Sequence, residues 1–141
     1  MREYVSTSVV AATPEAVWAI LTDGSRYRDW NPEIVAIDGL LAPRARIAAH
    51  VRLGDGAVRA VSQRVTVFEA PTRMEWTGGL PLGLFVGRRT YTVTPRTGGV
   101  EFRLHLHMSG PLSSLILKSV GDRQPEIDSF CASLKSRAEG R

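Results

Sequence analysis

Val100-Glu101-Phe102-Arg103-Leu104-His105-Leu106-His107-Met108 alternates apolar and polar side chains without a break. A period of two puts Phe102, Leu104, Leu106 and Met108 on one face of a strand and Glu101, Arg103, His105 and His107 on the other. One covered face and one wet face indicate an antiparallel sheet. Directly after it, Gly110-Pro111 opens a helical pattern. Leu112, Ile116, Val120, Ile127, Cys131 and Leu134 lie close to one stripe of it, broadened by Leu115 and Phe130. Pro125 cannot donate its amide and would clash with the carbonyl of Gly121, so one amphipathic element with a kink or short break between Gly121 and Pro125 is expected. The polar tail from Lys135 to Arg141 should fray. The apolar helix has one obvious partner, the covered face of the sheet.

Upstream, Gly87 to Pro95 pairs with that strand as a hairpin around Arg96-Thr97-Gly98-Gly99. Further strands are read at Ile34–Asp38, Ala45–Leu53, Val58–Glu69 and Arg73–Thr77, separated by glycine and proline turns. The first segment, Glu3 to Ala11, has the period-two look of a strand and stops at Ala12-Thr13-Pro14-Glu15. Thr13 can cap a helix, Pro14 suits its first position and Glu15 favours its positive end. Val17, Trp18, Ile20 and Leu21 then mark one buried helical face, and Trp18 reads as a core anchor. Ser25 can cap a second short turn to Trp30, which Asn31-Pro32 ends. The order is strand, two short helices, about six strands and a long helix: an α+β domain whose curved sheet leaves a gap under its helix, a place for a ligand.

The chain has 141 residues, enough for one domain that buries about 68–70% of its unfolded surface. No linker or repeat divides residues 1–141. A composition 43% hydrophobic and 23% charged argues against disorder. No window approaches a membrane span, and Met1-Arg2-Glu3-Tyr4 does not read as a signal peptide. Cys131 is the only cysteine, which excludes an internal disulfide and fits a reducing cytoplasm. The net charge of +4 raises nucleic acid as a partner. The arginines are scattered along the chain with no run of five, however, so nucleic-acid binding is not expected. No nucleophile–base–acid set, phosphate loop or dinucleotide fingerprint is present, and no cofactor is expected.

The chain resembles the SRPBCC superfamily, the START-like or helix-grip proteins that include polyketide cyclases and lipid-transfer domains. The resemblance rests on Thr13-Pro14-Glu15-Ala16-Val17-Trp18, on Tyr27-Arg28-Asp29-Trp30-Asn31-Pro32, and on Glu69-Ala70-Pro71 before Met74-Glu75-Trp76. It continues through Gly87-Arg88-Arg89-Thr90-Tyr91-Thr92-Val93, Ser109-Gly110-Pro111-Leu112 and Ala132-Ser133-Leu134-Lys135. It is closest to the bacterial polyketide cyclase/dehydrase subgroup. The resemblance implies a seven-stranded antiparallel sheet gripping the last helix over a cavity. It implies no shared catalytic residue.

On this reading the cavity wall consists of Trp76, Tyr91, Phe102, Leu104, Leu106 and Met108. Ile116, Val120 and Phe130 of the helix stripe lie above it, and Trp30 either packs at its turn or borders the space. Trp76 and Tyr91 can stack on a flat ligand or serve as core alone. If Tyr91 faces inward, so does Arg89. That buried guanidinium then needs a carbonyl or anion, from a ligand or from a salt bridge. Arg89 and Tyr91 are the only candidates for catalysis. The glycine-broken segment Gly78–Phe85, with Leu80, Leu82, Leu84 and Phe85, fits a lid, a subunit contact or a packed turn. His105 and His107 form a possible metal half-site, but exposed surface histidines explain them better, and no metal is expected. Three functions remain: binding of a small hydrophobic or aromatic molecule (lipid, polyketide or isoprenoid), a cyclase or dehydratase, and a partner-binding domain. The chain is expected to act as a monomer or homodimer.

Overall fold

The alternation at residues 100–108 governs the architecture. In the computed structural model, which describes residues 1–140, Val100, Phe102, Leu104, Leu106 and Met108 are buried, whereas Arg103 is exposed and His105 and His107 are half-buried. The strands are β1 (Arg2–Val10), β2 (Ile34–Asp38), β3 (Arg46–Arg52), β4 (Val58–Glu69), β5 (Arg73–Leu80), β6 (Phe85–Arg96) and β7 (Gly99–Ser109). They form one antiparallel sheet in the order β1-β7-β6-β5-β4-β3-β2. Breaks of register at Ile34/Ala36 and Val65/Val67 help the sheet to curl. Its concave face holds the core.

Helix α1 (Pro14–Thr22) starts as expected, with Thr13 Oγ1 accepting from Ala16 N at 3.1 Å. Val17, Trp18 and Leu21 are buried. The next turn differs. Ser25 does not cap it; its hydroxyl donates to Asp23 Oδ1 at 2.6 Å, and a short 3-10 turn (Gly24–Arg26) leads into α2 (Tyr27–Trp30).

The C-terminal stripe is interrupted more completely than a kink. Helix α3 (Ser113–Val120) and helix α4 (Gln124–Ala138) are separate elements. Between them Gly121 sits at φ +78°, a conformation that glycine adopts at little cost. Only α4 delivers its stripe to the core, through Ile127, Phe130, Cys131 and Leu134. Leu112, Ile116 and Val120 are half-buried and Leu115 is 63% exposed. The reason is in the register: the break resets the helix direction, so a continuous 3.6-residue phase no longer means a continuous face.

Two further expectations are corrected. Of the tail expected to fray, residues 135–138 are helical, and Arg141 lies outside the described residues. Helix α4 continues to Ala138, and the Lys135 ammonium donates to the Val9 carbonyl and pairs with Glu139 at 2.9 Å. The segment Gly78–Phe85, expected as a lid, a subunit contact or a packed turn outside the strands, is mostly strand and tight turn. Strand β5 runs through Gly78 and Gly79 to Leu80, a 3-10 turn covers Pro81–Gly83, and β6 begins at Phe85. Gly78 and Gly79 serve close approach: a Cβ on Gly79 would lie 2.0 Å from the Phe85 carbonyl oxygen. Among the described residues no helix is long and apolar enough to cross a membrane.

Candidate functional site

Asn31-Pro32 ends α2, and the Asn31 side-chain oxygen accepts from the amides of Glu33 at 3.0 Å and Ile34 at 2.9 Å. That turn delivers Glu33 to the mouth of β2, where its carbonyl accepts from Arg52 N at 2.7 Å and its side chain is 1% exposed. From the opposite side of the concave face, β6 points Arg89 inward in phase with Tyr91, both wholly buried or nearly so. The Arg89 guanidinium grips the Glu33 carboxylate with both terminal nitrogens, Nη1 at 2.9 Å from Oε2 and Nη2 in close contact with Oε1. Such a bidentate pair is strong and fixes orientation as well as charge. A second cation joins from the α3–α4 connection: Arg123 Nη2 lies 3.4 Å from Glu33 Oε2 and 3.4 Å from the Arg52 carbonyl oxygen.

Arg89 also binds the aromatic cluster. Its Nε donates to the Tyr91 hydroxyl at 2.5 Å. Its guanidinium carbon stands 5.4 Å from the Tyr91 ring centre and 5.2 Å from that of Phe130. Tyr91 in turn meets Trp76 at 5.2 Å, Phe130 at 5.4 Å and Phe102 at 6.1 Å. These rings pack on one another in the space beneath α4.

Burial alone would push the Arg89 guanidinium down, but Glu33 beside it outweighs that cost and holds it charged. Burial raises the Tyr91 phenol well above its ordinary range, against the pull of Arg89, so it stays protonated. Tyr91 accepts from Arg89 and therefore keeps its own proton to give.

Three buried polar atoms beside this cluster lack a hydrogen-bond partner: Trp76 Nε1, Arg123 Nη1 and Glu126 Oε2. The last two are 3.9 Å apart. Trp76 stands opposite Arg89 in the β5–β6 register. Buried donors without acceptors are uncommon, and each costs about 1–3 kcal/mol unless something satisfies it.

The site residues expected from sequence fall into four groups. Trp76, Arg89, Tyr91, Phe102 and Phe130 meet in one network, and Leu104, Leu106 and Met108 are buried on the same sheet face. Trp30 is half-buried at its outer edge, with its ring 5.5 Å from that of Phe130, and borders two open surface clefts of about 350 and 250 Å³ shared with Arg137. Ile116 and Val120 stay half-buried on α3, outside the core. Leu80, Leu82 and Leu84 are exposed at the β5–β6 tip, with Leu82 at 98%, and Phe85 packs partly against the core. Helix α3 is tied to that tip by Leu112 N donating to Leu84 O at 2.9 Å, and to β4 by Arg59 Nη1 and Ser119 Oγ at 3.4 Å.

Sequence reasoning missed Glu33, Arg123 and Glu126. The available signal was Arg89 itself, since an inward cation demands an acid. Which acid answers depends on how far the sheet curls. His105 and His107 lie on the outer face, 3.4 and 3.9 Å from Glu3 Oε1. Among the described residues no group of three or more His, Cys, Asp or Glu side chains is placed to hold a metal.

No curated protein matches this sequence. Solved structures do match the fold. The Zhui aromatase/cyclase from Streptomyces sp. R1128 superposes with a TM-score of 0.77 at 16% identity, covering 99% of this chain and 94% of that one. A START superfamily protein from Mycobacterium smegmatis gives 0.74 at 17% identity, over 98% and 97% of the two chains. A hypothetical protein from Helicobacter pylori gives 0.76 at 16%, over 97% and 88%. The family profile described as polyketide cyclase / dehydrase and lipid transport matches residues 1–139. With its curled seven-stranded sheet and closing helix, a START-like helix-grip fold, the chain belongs to that family.

Proposed function

We propose that this protein binds a small hydrophobic or aromatic molecule bearing a hydroxyl or carbonyl oxygen, held between the concave sheet and α4. The supporting observation is the buried Trp76 Nε1, a donor without a hydrogen-bond partner, in a ring that meets Tyr91 edge-on. A ligand oxygen would accept from it, and the ligand's ring or chain would replace ring–ring contacts among Trp76, Tyr91 and Phe130. Family membership supports the same reading. Because those rings now occupy the space under α4, entry requires the rings to part and the cover formed by α3 and the β5–β6 tip to lift. The buried, unpaired Cys131 fits a reducing compartment, the cytoplasm.

The test is direct. Freshly purified protein is examined by native mass spectrometry for a retained molecule, then titrated with naphthalene and 2-naphthol while tryptophan fluorescence is followed. The naphthol should bind about tenfold more tightly, and Trp76→Phe should shrink that difference. No retained molecule and no binding of either probe would overturn the proposal.

A second reading, a cyclase or dehydratase without a cofactor, draws on one observation: Arg89 aims the Tyr91 hydroxyl while leaving its proton available. Arg89 and Tyr91 would then polarise a substrate carbonyl. Turnover of a poly-β-ketone surrogate should fall in Tyr91→Phe with folding intact. Full activity in that variant removes the role.

A further inference from the structure

The arginines that are scattered in sequence are gathered by strand pairing. Arg46 faces Arg64 across β3 and β4, Arg64 faces Thr77, Thr77 faces Arg88, and Arg88 faces His107. These positions alternate with Ile47, Val65, Trp76 and Arg89, which point into the core, so the row lies on the outer face of the sheet. Five strands at about 4.8 Å spacing make the row about 19 Å long. A second row, Arg73–Thr92–Arg103, runs parallel to it about 13 Å further along the strands.

Between the rows Glu75 holds Arg73 at 3.3 Å and Arg88 at 3.2 Å. Arg46, Arg64 and Arg103 are exposed and form no ion pair among the described residues. Directly opposed like charges such as Arg46 and Arg64 weaken a sheet. The fold gains nothing from that pairing, and an anion supplied from outside would relieve it.

We propose that the outer face of β3–β7 docks an acidic protein segment, its carboxylates reaching Arg46, Arg64 and the free side of Arg88. The arginine fork suits carboxylate and phosphate alike. Two features favour protein over nucleic acid. The two rows carry no Phe, Tyr or Trp on which a base could stack, and their one ring, His107, stands at the end of a row beside Glu3. Glu75 at their centre interrupts the positive field that a phosphate backbone would need. The rows also carry no apolar side chain to enter a lipid layer.

The probe is a fluorescein-labelled helical peptide with glutamates along one face, followed by anisotropy at low salt. It should bind, and Arg46→Glu/Arg64→Glu should weaken it at least about tenfold. The same charge change on the helical side, Arg26→Glu/Arg137→Glu, should alter affinity less than about twofold. Arg46→Gln/Arg64→Gln, which removes the repulsion without adding charge, should melt no lower than the native protein and bind several-fold more weakly. No binding, equal loss in the helical-side variant, or tighter binding of a DNA of equal charge would each overturn the proposal.

Discussion

Glu33 holds two guanidinium groups with one carboxylate, in a place where water cannot replace it. Removing one partner of a buried ion pair costs more than forming the pair gains, because a charge is left stranded. Glu33→Gln is therefore expected to lower unfolding free energy by about 3–5 kcal/mol in urea titrations. Adding Arg89→Met to it should restore much of that loss. Cys131 makes a second case. Burial pushes its thiol up to about 11 from 9.0. The folded protein thus keeps this proton at a pH where the unfolded chain releases it, and stability should fall as pH rises from about 9 to about 11. The loss is on the order of 2 kcal/mol, and Cys131→Ala should delay it until Tyr27 and Tyr91, whose phenols burial also raises, begin to ionise. Urea midpoints measured across that range check the slope.

At the scale of elements, α3 and α4 share a sequence pattern but not a role. Four buried side chains, three of them large, anchor α4, whereas α3 buries only Ser113 fully. Helices with few buried apolar contacts open at low free energy. Amide exchange should accordingly be faster throughout residues 113–120 than in 127–134, with Arg123→Met accelerating α3 further by cutting its tie to Glu33. Equal protection of both helices would contradict this weak anchoring. The N-terminus of α1 is better specified, and Thr13→Ala should cost about 1 kcal/mol by orphaning the Ala16 amide. The difference in legibility follows from physics. Caps, periods and turns are local, so β7, the start of α1 and the inward phase of Arg89 and Tyr91 could be read from sequence. Whether a helical stripe meets the core depends on where a break redirects it, and Gly121 does not encode an angle. Glu33 was invisible for the same reason, since its partners lie 56 and 90 residues away.

Across the whole molecule, the sheet does two things with one alternation. Inward positions assemble the aromatic and ionic cluster, and outward positions assemble the arginine rows. The inner set was foreseen because apolar periodicity announces a core. The outer set was not, because charges far apart in sequence become neighbours only through register. The same register has a kinetic consequence. Strand β1 is an edge strand whose one strand neighbour among the described residues is β7, pairing Arg2 with Met108 and Val10 with Val100. During synthesis the first strand therefore waits, its ladder unmade, until nearly the whole sheet has left the ribosome. Contacts this distant in sequence form late and slowly. A nascent chain arrested before β7 should be cut readily within residues 2–10 by a protease, and one arrested with α4 clear of the ribosome should resist it, which makes sheet closure wait on the emergence of β7.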